Sequence, residues 1–262
     1  MNAGFIQTHP KFGRIKENVE DAAKKIRALD ADLVVLPELF STGYQFRSKE
    51  EARKLSEGVD GYAAGRLSEA AKEKNIHIVA GFAEKAGKRA YNSSMLIGPR
   101  GVIGVYRKAH LFWDEKKIFS RGDTDFKVYK AGGVKVGMMI CFDWIFPEVS
   151  RTLALQGAQI ICQPSNLVLP YCPQAMITRS LENRVFSITA NRVGSEERVR
   201  GKRLRFIGTS QIVAPDGSVL YRAAGDGVEA AAMEINPEEA LNKDITPVNN
   251  LFKDRRRDLF VL

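Results

Sequence analysis

Three side chains with complementary chemistry follow apolar, strand-like runs of this sequence. Cys141 follows the run KVGMMI and precedes a helical pattern that opens at Pro147. Glu38 comes at the end of the run ADLVVLP, and Lys108 closes the run VIGVYR. Because ligands in open α/β sheets bind beyond the carboxyl ends of the strands, these positions favour a shared site. A thiol with a carboxylate and an ammonium group predicts nucleophilic catalysis by cysteine.

Each of these residues also has an ordinary structural interpretation. Free cysteines are commonly small buried hydrophobic residues, and a charged residue at a strand end is usually solvated surface. A helix N-terminus near Cys141 would favour its thiolate form. The usual base for a thiol is histidine, and His110 has the best context of the three histidines, although KAHLFWDE suits a core histidine equally well. The histidines are far apart and no CxxC spacing occurs, so no metal site is predicted.

Apolar runs that alternate with amphipathic runs predict the elements that would position these side chains. A pattern of this kind indicates an α/β architecture, a sheet covered by helices. Strands are predicted at Val34–Leu36 and in runs that begin at Ile76, Tyr91, Lys135, Ala158, Val185 and Ser210. Helices are predicted at Asn18–Leu29, Gly61–Lys74, Pro147–Gln156 and Pro173–Asn183.

Turn residues add detail to this organisation. The stretch Tyr91–Lys108 is predicted to be a hairpin that turns at Gly98–Gly101, and a second hairpin is predicted at Pro215–Gly217. GAQIICQPSN in the second half weakly resembles ADLVVLPE in the first, which suits two similar halves that face each other. No linker rich in glycine, serine or proline divides residues 1–262, so a single domain is predicted.

Composition excludes several classes of protein. The chain has 262 residues, of which 44% are hydrophobic and 27% charged, as is typical of globular proteins. Its three cysteines cannot form a disulfide framework, and the N-terminal residues lack the pattern of a signal peptide. No apolar run approaches the ~20 residues that span a bilayer. A cytoplasmic protein with no membrane contact is therefore expected.

Three segments resemble the signature segments of the nitrilase superfamily, the carbon–nitrogen hydrolases. They are PELFSTGY (Pro37–Tyr44), YRKAHLF (Tyr106–Phe112) and CFDWIFPE (Cys141–Glu148). The resemblance continues through YNSSMLIGPRG, QPSN, RSLENR and FIGTSQIVAPDG, in the family's order and over nearly the whole chain. It implies a four-layer α-β-β-α sandwich that pairs with a second subunit into an eight-layer dimer. The segment 247–262 resembles the tails that contact the partner subunit.

The resemblance also implies roles for four residues. Cys141 matches the family's nucleophile, Glu38 its general base, Lys108 its electrostatic stabiliser and Glu115 its second glutamate. The implied reaction forms an acyl thioester on Cys141 and needs neither cofactor nor metal. The N–H of Phe142 and the Lys108 ammonium would stabilise the oxyanion.

Several residues near these positions are candidates to contact the substrate. They are predicted to form a compact, mostly apolar pocket, although aromatic residues also dominate ordinary cores. These candidates are Tyr44, Phe112, Trp113, Phe142, Trp144 and Asn166. Arg179 and Arg192 are possible partners for a substrate carboxylate, or members of structural salt bridges.

The sequence leaves three functions open. The first is hydrolysis of small non-peptide amides with release of ammonia, and the alternative within the same chemistry is hydrolysis of small nitriles. A distant alternative is nucleic-acid binding, suggested by the net charge of +9 and the basic runs RVRGKRLR and DRRRD. Because RVRGKRLR contains no aromatic residue and no RNA-binding motif occurs, a solvated surface is the preferred interpretation of these charges.

Overall fold

The structure, a computed structural model, describes residues 1–259 of the 262. In the first half of the chain the elements are β1 (Asn2–Gln7), α1 (Ile15–Ala28), β2 (Leu33–Val35), α2 (Lys49–Leu55), α3 (Tyr62–Lys74), β3 (His77–Ala86), β4 (Arg89–Gly98), β5 (Gly101–Arg107) and α4 (Glu115–Ile118). In the second half they are β6 (Val128–Ala131), β7 (Val134–Met138), a 3-10 helix (Cys141–Ile145), α5 (Pro147–Leu155), β8 (Ile160–Pro164), α6 (Cys172–Asn183), β9 (Phe186–Ala190), β10 (Ser195–Glu196), β11 (Leu204–Arg205), β12 (Gln211–Val213), β13 (Val219–Arg222) and β14 (Glu229–Glu234). The remaining elements are a 3-10 helix (Pro237–Leu241), β15 (Asp244–Thr246), β16 (Asn249–Asn250) and a last 3-10 helix (Arg257–Leu259).

Two six-stranded sheets form the centre of the molecule, with the orders β14-β1-β2-β3-β4-β5 and β13-β12-β9-β8-β7-β6. In each sheet three neighbouring strands are parallel, β1-β2-β3 in one and β7-β8-β9 in the other. The outer strands pair antiparallel with them. The two halves are therefore alike, as the similarity between the two proline-ended strands predicts.

The layers follow from which face of each strand is apolar. Leu33 and Val35 belong to the core between the sheets, whereas Val34 and Leu36 pack against α1 and α3. Strands buried on both faces have continuous apolar runs, which explains the sequence LVVL. Helices α5 and α6 cover the other sheet. The α/β fold of four layers is thus confirmed, while its pairing into an eight-layer dimer stays a prediction.

The predicted elements are present with small changes in their bounds. The predicted helix Asn18–Leu29 begins three residues earlier, at Ile15. Asn18 lies within the first turn, where its side-chain amide donates hydrogen bonds to the carbonyls of Lys11 and Ser41 at 2.8 Å each. The strand predicted to run up to Cys141 ends at Met138, because the backbone turns into a 3-10 helix.

The C-terminal segment was predicted to contact a partner subunit. Of residues 247–262, the last three lie outside the described residues. Phe252 packs against the core of its own chain, with Arg151 and Lys243 over its ring. Contact with a partner stays a prediction. None of the helices within residues 1–259 has the length and apolar composition that crossing a bilayer requires.

Candidate active site

Cys141 lies at a sharp corner between β7 and the 3-10 helix that it begins. Its side chain is buried, with 6% of its surface exposed, and its φ is +42°. A positive φ is strained for a residue with a β-carbon, so the surrounding structure must hold it. The Gln163 side chain does so by donating a hydrogen bond to the carbonyl of Cys141 at 3.0 Å. Thr189 in turn donates to Oε1 of Gln163 at 2.8 Å. The backbone that presents the thiol is therefore held from the neighbouring strands.

Glu38 follows β2 and is completely buried. Its carbonyl accepts a hydrogen bond from the Asn166 side chain at 2.8 Å, and its Oε1 accepts one from Nδ2 of Asn92 at 2.6 Å. Its Oε2 has no hydrogen-bond partner among residues 1–259. Gly81 on β3 makes room for this backbone, because a β-carbon there would lie 2.4 Å from Cα of Glu38. The result is a buried carboxylate with one free oxygen.

Lys108 joins the two carboxylates of the site. Its Nζ donates to Oε1 of Glu38 at 2.6 Å and to the Glu115 carboxylate at 2.9 Å, with no exposed side-chain surface. Glu115 also accepts from the hydroxyl of Tyr44 at 2.7 Å and from the N–H of Phe112 at 3.3 Å. The ammonium group is consequently fixed between two acids.

Burial governs the proton affinities in this cluster. Burial raises the pKa of Glu38, and the Glu115 carboxylate adds to that rise against the opposing effect of Lys108. Burial also raises the pKa of the Cys141 thiol, with Glu38 adding to it and Lys108 opposing. Burial disfavours the Lys108 ammonium, yet the two carboxylates outweigh it and raise its pKa. At rest, the cysteine is thus a neutral thiol beside a carboxyl group that takes up protons more readily than a solvated one.

Asn166 connects Glu38 to Cys141. Its side-chain amide holds the carbonyl of Glu38, while its backbone N–H faces the Cys141 sulfur and favours the thiolate. The sequence predicted a contact between Asn166 and substrate. Asn166 does line the cavity beside Cys141, but its amide nitrogen is already engaged with the protein.

A third buried carboxylate, that of Asp143, stabilises the corner at Cys141. Asp143 accepts hydrogen bonds from the N–H of Ile140 at 2.9 Å and from the hydroxyl of Tyr106 at 2.8 Å. It also accepts from the N–H of His110 at 3.2 Å, and lies 2.7 Å from Nδ1 of that ring. His110, the histidine considered as a base, therefore contacts Asp143 and stacks on Phe146 rather than joining the Glu38–Lys108 cluster.

The cavity next to Cys141 has a volume of about 190 Å³. Four of the six predicted substrate contacts line it, namely Phe112, Phe142, Trp144 and Asn166. Tyr44 and Trp113 instead line a smaller, separate cavity beside Glu115. Trp113 is 49% exposed there, with the Lys202 ammonium 5.2 Å from its ring centroid. The sequence has no signal for the side of Glu115 on which each of these side chains lies. The prediction therefore grouped all six in one pocket.

The two arginines considered as substrate contacts form structural interactions. Arg192 is completely buried and pairs with Glu196, whose carboxylate accepts from the N–H of Gln45 at 2.7 Å. Arg179 pairs with Glu182 at 3.0 Å and donates to the carbonyl of Trp144 at 3.2 Å. The salt-bridge alternative is the one that the structure shows for both.

Three residues of this site were not singled out from the sequence, although the segments containing them were. Asn92 lies in YNSSMLIG, Asp143 in CFDWIFPE and Gln163 in QPSN. A polar residue within an apolar strand, such as Asn92 or Gln163, was the available signal, because burying an amide requires hydrogen-bond partners.

Comparison with known proteins agrees with this geometry. Residues 4–240 match the family model described as "Carbon-nitrogen hydrolase". The chain belongs to the carbon–nitrogen hydrolase family. This hydrolase is 45% identical over 264 residues to a protein from Pyrococcus abyssi named "Nitrilase", with 99% of each chain covered. It is 35% identical to an "(R)-stereoselective amidase" from a Pseudomonas species, covering 98% of this chain and 92% of the other.

Solved structures show the same fold. The crystal structure of a carbon–nitrogen hydrolase from Helicobacter pylori G27 superposes with a TM-score of 0.89 at 27% identity. The match covers 99% of this chain and 96% of that one. The family acts on carbon–nitrogen bonds other than peptide bonds, so this chain is a hydrolase of that type.

Proposed function

We propose that this hydrolase cleaves small non-peptide amides by a thioester mechanism that releases ammonia. The observation that carries the proposal is the free Oε2 of Glu38, a buried acceptor in the same cluster as Lys108 and Cys141. An amide substrate brings N–H donors and passes through steps in which a proton must move to its nitrogen. A carboxyl group with a raised pKa and one unpaired oxygen suits both needs.

The proposed first half of the reaction forms an acyl-enzyme. Oε2 of Glu38 takes the Cys141 proton while the sulfur attacks the amide carbon, and the carbonyl oxygen becomes an oxyanion. Lys108 and the N–H of Phe142 stabilise that charge, since the first N–H groups of a helix lack partners within it. Glu38 then gives its proton to the nitrogen, the C–N bond breaks, and ammonia leaves a thioester.

The second half regenerates the thiol. Glu38 takes a proton from water as the water oxygen attacks the thioester carbon. Collapse of the tetrahedral intermediate breaks the C–S bond, the proton returns to the Cys141 sulfur, and a carboxylic acid departs. Glu115 acts by holding Lys108 at 2.9 Å throughout. Every proton that leaves one group is received by another, so the proposed cycle balances without a cofactor or metal.

Hydrolysis of small nitriles is the second candidate. It is favoured by the relative from Pyrococcus abyssi, which carries the name "Nitrilase" and matches this chain over 99% of both lengths. In a nitrile, attack by the thiolate gives a thioimidate, and the same carboxyl group supplies the proton to nitrogen.

Matched pairs of amide and nitrile, such as butyramide with butyronitrile, test both candidates through the ammonia released. Ammonia from the amides is expected, and ammonia from the nitriles alone would exclude the amidase proposal.

Intact-mass analysis of the wild type should show an acyl adduct on Cys141. The variant Cys141→Ala should show none, and its turnover should fall by at least about 10⁴-fold while its thermal unfolding is unchanged. Wild-type turnover in that variant would exclude the mechanism.

We also propose that the enzyme works in the cytoplasm as a homodimer. A reducing compartment suits the three cysteines, which are all free thiols. An eight-layer dimer requires two helical layers to meet. The outer layer of α5 and α6 supports this arrangement because it exposes Leu155 and Leu181 at 43% and 46%. Sedimentation equilibrium should give twice the mass of 29.1 kDa. A monomer at micromolar concentration would contradict the proposal.

A further inference from the structure

The walls of the cavity beside Cys141 are made almost entirely of apolar side chains. Phe112, Phe142 and Trp144 form one side, and Leu167, Val168 and Leu169 form the other. Among the described residues that line it, Asn166, Tyr171 and Cys141 are the polar ones and none is charged. A substrate group in this cavity therefore meets hydrocarbon and aromatic surface.

The cations of the catalytic cluster and of the helix that contacts Trp144 are paired within the protein. Lys108 is held between Glu38 and Glu115, and Arg179 between Glu182 and the Trp144 carbonyl. A substrate carboxylate or ammonium group would have to leave water without a counter-charge. Burying an ion in that way is strongly unfavourable.

The mouth of the cavity continues the same apolar surface outward. Ile145, Leu169 and Tyr171 line the cavity and are 43%, 47% and 62% exposed. These residues lie on opposite sides, on the 3-10 helix of Cys141 and on the loop after β8. Exposed apolar groups at a cavity mouth gain free energy when a hydrocarbon chain covers them.

We propose that the substrates carry an uncharged, apolar acyl group, and that the surface of Ile145, Leu169 and Tyr171 selects them. This inference rests on the proposed function, because it names the substrate class of the same site. Charged amides are rejected by the absence of a counter-charge rather than by size. A groove lined by Lys116 and Arg121 lies nearby, but it shares only Phe142 with the cavity and does not include Cys141.

Two pairs of amides with the same shape and different charge test the proposal. Pentanamide is compared with 4-ammoniobutyramide, and 4-methylpentanamide with succinamate. For each pair kcat/KM of the charged member should be at least about a hundredfold lower. Along the series from acetamide to pentanamide, kcat/KM should rise by about fourfold per methylene until the cavity is full, which is ~0.8 kcal/mol converted at 1.36 kcal/mol per tenfold. Charged members within threefold of their partners would overturn the proposal.

The variant Leu169→Arg supplies the missing counter-charge at an exposed position that does not require repacking of the core. It should raise the kcat/KM ratio of succinamate to 4-methylpentanamide by at least tenfold. Leu241→Arg is the matched control, because Leu241 is 55% exposed and lies outside the cavity, and its ratio should not change. An unchanged ratio in Leu169→Arg would also count against the proposal.

The failure of this proposal is distinguishable from that of the proposed function. If no amide of any charge is turned over or forms an adduct on Cys141, the amidase function itself fails. Nitriles that carry the same charged and uncharged groups are then compared as substrates. If charged amides react as well as uncharged ones, the function stands and the substrate class is wrong.

Discussion

The hydrogen bond from Asn92 to Oε1 of Glu38, at 2.6 Å, stabilises the carboxylate form and lowers the pKa that burial raises. Removing it should therefore raise that pKa further. In the proposed mechanism turnover requires this carboxylate as a base, so activity is lost as the pH falls through the pKa of Glu38. Because that pKa is raised, the loss begins at a higher pH than for a solvated glutamate.

We predict that Asn92→Ala moves the acidic limb of the profile of kcat/KM against pH upward by about one to two units, since a hydrogen bond to a charged group contributes about 1.5–3 kcal/mol. The measurement is the profile of kcat/KM against pH for the wild type and for Asn92→Ala, with an uncharged amide as substrate. Ser94→Ala is the control, because Ser94 lies on the same strand and its hydroxyl contacts Met138 instead of Glu38. A limb that stays in place in Asn92→Ala would show that Glu38 does not set it.

In the proposed mechanism Lys108 serves both stability and chemistry, and a double variant separates the two. Lys108→Met leaves the buried carboxylates of Glu38 and Glu115 without their cation. We expect a loss of about 3–5 kcal/mol in the free energy of unfolding and a fall in kcat of about 10²–10³-fold. Adding Glu115→Gln removes one of the two acids and should restore much of the stability without restoring turnover. Chemical denaturation and steady-state kinetics measure the two effects, and recovery of both together would refute a catalytic charge at Lys108.

At the scale of elements, β3 positions Glu38 because it has a glycine, Gly81, beside the end of β2. A β-carbon at Gly81 would lie 2.4 Å from Cα of Glu38, 2.8 Å from the carbonyl of Pro37 and 3.0 Å from Cβ of Pro164. The two proline-ended strands of the two sheets thus approach each other across this glycine. Any added side chain must displace the backbone of Glu38.

We predict that Gly81→Ala lowers kcat/KM by about a hundredfold, because a displacement of about 1 Å in a reacting group has that effect. Its crystal structure should show the Glu38 backbone moved away from β3. Gly65→Ala on α3 is the matched control, since in the described part of the chain no atom would lie within 4 Å of a β-carbon there. It should keep full activity and gain up to about 1 kcal/mol of stability. Full activity in Gly81→Ala would mean that the site tolerates the displacement.

The elements were more predictable than the contacts between them. The run LVVL indicates a strand buried on both faces, and Pro147 marks the start of α5, because both signals depend on neighbours in the sequence. The φ of +42° at Cys141 has no such signal, since Gln163, 22 residues further along the chain, holds that corner through the Cys141 carbonyl. The cluster of Glu38, Lys108 and Cys141 was predicted from strand ends and from family resemblance.

At the scale of the whole molecule, the net charge of +9 is the feature that suggested nucleic acid. In the structure, the basic run 198–205 lies against the first half of the chain. Arg198 donates to both oxygens of Glu51 at 2.8 Å and lies 3.5 Å from the centroid of the Phe12 ring. Lys202 pairs with Asp114 at 2.9 Å. These side chains join the two halves of the molecule next to Glu115 and Tyr44.

This arrangement predicts that the basic run stabilises the fold instead of binding a polyanion. Arg198→Ala removes a bidentate ion pair and a cation–π contact that together contribute about 1–2 kcal/mol, so the melting temperature should fall by about 3–6 °C. Arg200→Ala is the matched control, because Arg200 is exposed in the same run. The melting temperature of this variant should stay within about 1 °C of the wild type.

Both variants are also titrated with random-sequence single-stranded DNA at 50 and 200 mM salt. A polyanion site would bind the DNA far more tightly at the lower salt concentration. If the two substitutions weakened such binding equally and left the melting temperature unchanged, the charges would serve a nucleic-acid partner and the structural interpretation of the run would be wrong.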